Sequence, residues 1–397
     1  MADNQREMER REKRARKDRR NKKIIWIIIA VIVLILIIMK VFEININSVI
    51  DRFTDEQGNF TLTGGVVEDN FPYNMDSSQN VSIVNINNQL GILTPSSFTV
   101  LNSKNAEVKY AFEHGYSNPV LETEGIYSLV YDQGSSVYRL DTASGAVYEE
   151  EVANTVLCAD VAKNGTVAVA TTSAEKLCDI IVYSKSLEKE MEVSLSDGYI
   201  VSISLSGNGK KVAVAAVTGE NANLKTSVYI YEVSEGESGR TAVELPQGLI
   251  IDLNYTSRNV LVVGDSYAGV IDNSGKYKDI YKSGDISTQC LAYTPSGDLL
   301  LVYNSYSNST ENVISYIKKN GQLKREINVS GNIKSVSAGS SLVSVLTNSE
   351  IISYNLSDGE EKSRLNTDDS AKSICCMGSE IFIHRQSLID RSEAEIN

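Results

Sequence analysis

The chain has 397 residues, with 38 basic and 51 acidic side chains, two histidines and five cysteines. That length suits one large domain or two ordinary ones. Two histidines speak against a multi-histidine zinc centre, and five unpatterned cysteines against a disulfide-stapled fold. The acidic balance opposes nucleic-acid binding, which needs clustered cations.

The charge is split along the chain. Residues 1–23 hold 11 of the basic and 5 of the acidic side chains, which leaves 27 and 46 for the remainder, a net charge of −19. Segments of opposite charge usually face different surroundings. The boundary is the run Ile24 to Phe42; from Ile24 to Met39 it holds 13 Ile, Leu and Val residues and no charge. Nineteen helical residues rise about 28 Å, close to a bilayer core, and the aliphatic residues favour insertion by roughly 6 kcal/mol. Trp26 suits one interface, and Lys40 can extend its amine to the other. No small-x-small cleavage site follows, and no cysteine that would take a lipid, so residues 24–42 are expected to be an uncleaved signal anchor. The basic flank keeps residues 1–23 cytoplasmic and places the bulk of the chain outside the cell membrane.

Residues 43–79 read as a polar connector with weak strand character. From residue 80 to 390, short apolar runs alternate with Gly, Asn, Asp and Ser clusters, the mark of an all-β domain. A pair of strands around a polar turn recurs at Cys158–Thr171, Ser202–Ala216, Leu253–Asp265, Leu291–Asn304 and Ser335–Thr347. A second pair recurs at Val137–Glu151, Ala268–Tyr281, Ile314–Ile327 and Ile351–Leu365. Together the two pairs make a four-stranded unit of about 35–48 residues, the size of a propeller blade. The count predicts eight blades, with seven as the alternative. Residues 371–390 supply too few strands for a blade, so a strand from residues 58–79 is expected to close the ring. Residues 391–397 form a tail.

The segments Ser206–Ala215 (SGNGKKVAVA) and Thr294–Val302 (TPSGDLLLV) resemble the first two strands of WD40-like repeats. Tyr138–Gly145 (YRLDTASG) resembles the third-strand turn of quinoprotein-type repeats. The motifs are degenerate, without a Trp-Asp dipeptide or a repeat tryptophan. The whole plan resembles a family of single-pass, membrane-anchored propeller proteins of Gram-positive bacteria whose domain has no assigned function. That resemblance implies architecture and location, and no activity.

No metal, phosphate or dinucleotide motif is present, and no cofactor is expected. His114 in a turn and His384 in a terminal strand read as ordinary surface or turn residues. Gly264–Gly269 (GDSYAG) superficially resembles a nucleophile loop but falls between two strands of a blade, so it reads as a turn. The long second-to-third strand connections of blades three, four and six share one face. They nominate Lys176, Asn221, Lys225 and Tyr306 as binding-face residues. These features favour a non-catalytic scaffold for an envelope protein or glycan. Two alternatives stand beside it. One is a glycan hydrolase or lyase using the inner-strand acids Asp160 and Asp252, and the other is a sensor or division-type component relaying through the basic tail.

Overall fold

The structure is a computed structural model that describes residues 70–75, 79–220, 223–304 and 311–393. The expected span at 24–42, with Trp26 and Lys40, lies outside the described residues, as do Asn221 and Tyr306.

The described chain forms eight four-stranded antiparallel sheets, an eight-bladed propeller. Blades 1 to 7 use consecutive strands, at residues 82–113, 119–151, 156–195, 199–244, 250–281, 287–330 and 335–366. Blade 8 takes three strands from residues 371–393 and its fourth from Tyr73–Asn74. Tyr73 pairs with Ile389 and Asn74 with Leu388, and Phe71 packs on Phe382 with ring centroids 5.5 Å apart. Arg391 reaches across the same seam to the carbonyls of Ser103 and Lys104 in blade 1 (3.3 and 2.6 Å). The seam therefore holds by strand pairing, ring packing and charge-assisted hydrogen bonds together.

The sequence pattern follows from where each strand sits. Second strands are covered on both faces by neighbouring blades, so Val167–Thr172 (VAVATT) and Leu299–Asn304 (LLLVYN) are apolar almost throughout. Fourth strands lie at the rim and alternate, as in Lys189–Leu195 (KEMEVSL). The turn between first and second strands needs positive φ, supplied by Gly209 (φ +69°) and Gly297 (φ +81°). A Cβ on Gly209 would also lie 2.5 Å from the Thr166 hydroxyl oxygen in the neighbouring blade. The SGNG turn is thus held by contact between blades as well as by backbone conformation.

The buried apolar residues fall into eight clusters, one in each gap between adjacent blades. Cys375 lies in the gap between blades 8 and 1 and Cys376 in that between blades 7 and 8, opposite faces of one strand. All five cysteines are free.

Removing the methylene-linked ring at the seam tests how far closure depends on it. Phe71→Ala should cost about 2 kcal/mol, less than a fully buried phenylalanine because Phe71 is half-buried. Urea denaturation of the variant, with unchanged slope and lowered midpoint, is the expected result.

Candidate functional site

The eight first strands form the inner ring around the propeller axis. Five of them skip one residue of register near their start, at Leu157, Val201, Ile251, Gln289 and Lys372. Such a bulge adds twist and turns its side chain away from the ladder. It also blunts the inner strand edge against pairing with another chain. All five bulges stand at the same end of the ring, because every first strand runs the same way. That end, the upper face, also carries the second-to-third strand turns and the connections between blades.

In blades 4 and 5 the upper face is apolar. Tyr199 and Val201 at the start of one first strand are 59% and 49% exposed, and Leu249 and Ile251 at the start of the next are 51% and 48% exposed. Isolated exposed apolar side chains are ordinary, whereas these four cluster at the starts of two adjacent inner strands on one face. Beside it the second and third strands of blade 4, Lys211–Glu220 and Asn223–Glu232, are ten residues each. Their flanking strands pair with them only as far as Val217 and Ser227, so the tip projects from the face as a two-stranded ribbon. Leu224 on this ribbon is 51% exposed.

Lys176 and Lys225 lie on this same face but at its rim. Lys176 donates to the Ser194 carbonyl (3.3 Å), and Lys225 pairs with Glu244 (3.2 Å). Neither was accompanied in the sequence reading by the apolar residues that dominate the mouth. Their signal was there: Ile200-Val201 and Ile250-Ile251 are apolar pairs just before a strand begins to alternate, where a bulge absorbs the extra residue.

Below the mouth, polar side chains pin four pairs of neighbouring inner strands. The Leu205 N–H of blade 4 donates to Asp160 Oδ2 of blade 3 (2.6 Å), while the Val161 N–H donates to Asp160 Oδ1 (2.8 Å). One blade on, the Tyr255 N–H donates to Ser204 Oγ (3.0 Å). Between blades 7 and 8 the N–H groups of Ile374 and Cys376 donate to Ser335 and Ser337 (3.3 and 2.9 Å). Tyr293 of blade 6 donates its hydroxyl to Asp252 Oδ2 of blade 5 (2.6 Å). Both nominated acids thus hold bonds between blades.

A third inner-strand acid, Glu122 of blade 2, joins them and was missed in the sequence. Its strand, Pro119–Glu124, lacks the apolar-turn-apolar signature that marked the other first strands. Each acid keeps some surface toward the axis, yet lies deep enough in the ring to be desolvated. Burial pushes Asp160 up to about 7 against its two N–H bonds, and Asp252 up to about 6 against the Tyr293 bond. Burial, then the charges of Asp160 and Asp252, hold Glu122 well above the usual carboxylate range. Among the described residues no group of three or more His, Cys, Asp or Glu side chains is placed to hold a metal ion.

The two histidines differ from each other. His114 stays in its turn, stacked on Tyr116 with centroids 4.7 Å apart. His384, expected at the surface, is buried at 3% exposure, because the third strand of blade 8 and the start of blade 1 close over it. Ser266 lies in the turn between the second and third strands of blade 5.

Fold and mouth together define an eight-bladed propeller with a partly apolar axial face. Residues 67–393 match the family of unknown function DUF5711, and the chain belongs to that family. Among solved structures it is similar to BamB from Moraxella catarrhalis, with TM-score 0.50 at 11% identity, covering 81% of this chain and 98% of that one. At that identity the likeness shows the fold. The complex of KlAtg21 with the coiled-coil of AgAtg16 aligns with TM-score 0.46 at 12% identity, over 62% of this chain and 83% of that one. No curated protein matches.

Two expectations follow from the inner ring. Ser204→Ala and Ser337→Ala each leave a buried N–H without its partner and should cost about 1–3 kcal/mol. Because the two pins lie in different blades, the double variant should lose their sum in chemical denaturation. The raised acids set a pH trend. A carboxyl whose folded pKa exceeds its unfolded value contributes stability below the unfolded pKa and loses it as pH rises through the folded value. Tm should therefore rise as pH is lowered from about 8 toward 4, through the values of about 7 and 6 at Asp160 and Asp252. The rise should shrink in the neutral Glu122→Gln/Asp252→Asn double variant, read by calorimetry across pH.

Proposed function

We propose that the protein is a membrane-anchored, extracytoplasmic scaffold that docks a polypeptide partner of the cell envelope on its upper face. The observation that carries this reading is the exposed patch of Tyr199, Val201, Leu249 and Ile251 at the axial mouth, with Leu224 on the ribbon beside it. A contiguous apolar patch rimmed by polar loops is a recurrent feature of protein-binding surfaces. Aliphatic Val, Leu and Ile side chains suit a polypeptide better than a glycan, whose hydroxyls need hydrogen-bonding partners. The second-to-third strand connections of blades 3 and 4 that carry Lys176 and Lys225 would contribute the polar rim. The apolar run at residues 24–42 and its basic flank support the anchor and the orientation.

The chain enters the ring at the opposite end. The Asn70 N–H donates to the carbonyl of Asn105, in a third-to-fourth strand turn of blade 1 (3.2 Å). The upper face is thus free of the point where the chain enters. The enzyme alternative gains nothing from Asp160 and Asp252, whose oxygens hold the Leu205, Val161 and Tyr293 donors.

A photoreactive residue at Ile251, in cells expressing the full-length chain, should capture one dominant membrane or envelope protein. Val201→Asp together with Leu249→Asp should abolish that capture, while Tm moves little because both positions are exposed. Adducts spread over many abundant proteins, or capture unaffected by the two aspartates, would refute the docking face.

A further inference from the structure

We propose that Ser373 and His384 form a nucleophile–base pair in a cleft at the ring seam, able to react with a small carboxylic ester. This is independent of the docking face in blades 4 and 5. The cleft measures about 370 Å³ and is lined by Gln79, Asn80 and Val81 from the start of blade 1 and by Lys372, Ser373 and His384 from blade 8.

The protonation pattern follows from the partners. His384 Nε2 lies 2.9 Å from the carbonyl oxygen of Gln386, which only accepts, so Nε2 carries the proton. Burial, and the positive charge of Lys372, lower the affinity of the ring for a second proton and keep it neutral. Nδ1 is then a bare acceptor. It faces Ser373 Oγ at 3.4 Å, its directly opposite cross-strand partner, so the serine donates and turns its lone pairs away from the ring. A nucleophile, a base in reach, and a third group fixing the base's tautomer are the parts an activated hydroxyl needs. The distance is at the long end of that reach, as it often is before a ligand is bound. The bulge at Lys372 lets two successive residues, the cation and the nucleophile, border the same cleft. Lys372 lines the cleft, and its ammonium donates to the Asp369 carbonyl (3.1 Å), so the cleft carries a positive charge that favours a developing oxyanion.

In the reaction, Ser373 Oγ attacks the ester carbonyl carbon as its proton passes to His384 Nδ1. The carbon–oxygen bond to the alcohol breaks, and the alcohol leaves with that proton. Water then attacks the acyl-serine, again giving its proton to Nδ1, and the acid is released as the proton returns to Oγ. No oxidant or metal is required.

The test uses the full-length chain with a fluorophosphonate, which is attacked by activated serines, and peptide mass spectrometry to locate the adduct. The expected result is a single adduct on Ser373, absent in Ser373→Ala and slowed about 100-fold in His384→Gln, the scale of general-base catalysis. Lys372→Ala, at an exposed position, should slow labelling while leaving Tm unchanged. The rate should stay level through neutral pH and fall only below the ordinary histidine range, as the ring gains its second proton. Among the described residues Lys372 is the charged group that acts on the ring. Arg385 next along the strand is turned to Asp368 and Asp390, and blade 1 contributes neutral side chains. No adduct on Ser373 in the wild-type chain overturns the proposal without reference to any variant. So does an adduct whose rate is the same in a stably folded His384→Gln.

Discussion

A ring of blades has no single core, and every part of this one depends on how each blade holds the next. The apolar clusters between blades supply attraction without direction. The direction comes from the inner ring, where a side chain of one first strand accepts an N–H or hydroxyl from the next. Asp160, Ser204, Asp252, Ser335 and Ser337 all serve in this way. These bonds consume edge donors that would otherwise face the axis unpaired, and they set the angle at which successive blades meet. The short strand Tyr73–Asn74 then closes the last gap by pairing with the third strand of blade 8. Without that closure two edge strands and one apolar face would be exposed.

The same constraint shapes the mouth. Five of the eight first strands take up one extra residue near the upper face, which adds twist to the inner strand there. In blades 4 and 5 the extra residues are Val201 and Ile251, which leave the ladder and stand exposed. In blade 8 the extra residue is Lys372, which borders the seam cleft. One backbone irregularity, repeated around the ring, thus yields an apolar platform on one side and a charged cleft on another, according to the side chain placed there. Deeper in the ring, Asp160 and Asp252 are held by bonds between blades.

Much of this was legible in the chain as written. Four-stranded units of repeated length, Gly-containing turns and runs such as VAVATT announced a propeller, and the incomplete last unit called for a strand from near the start of the domain. The opposite faces of Cys375 and Cys376 followed from period-two geometry. The inner-strand acids Asp160 and Asp252 were visible because their strands carry the apolar signature. Glu122 was not, since Pro119–Glu124 carries almost none of it. His384 was misjudged as a surface residue because polar character near the end of a chain says nothing about which strands fold over it.

Local periodicity and turn chemistry determined the strands, their grouping into fours and the all-β class, because these depend on residues close together in sequence. Hydropathy and charge likewise determined the expectation of an anchor at residues 24–42. What only the tertiary structure decided are relations between blades. These are the pairing of Tyr73 with Ile389, the convergence of Tyr199, Val201, Leu249 and Ile251, and the cleft that brings residues 79–81 against Ser373 and His384. Those contacts join positions tens to hundreds of residues apart. They arise from closing the ring, which no local pattern encodes.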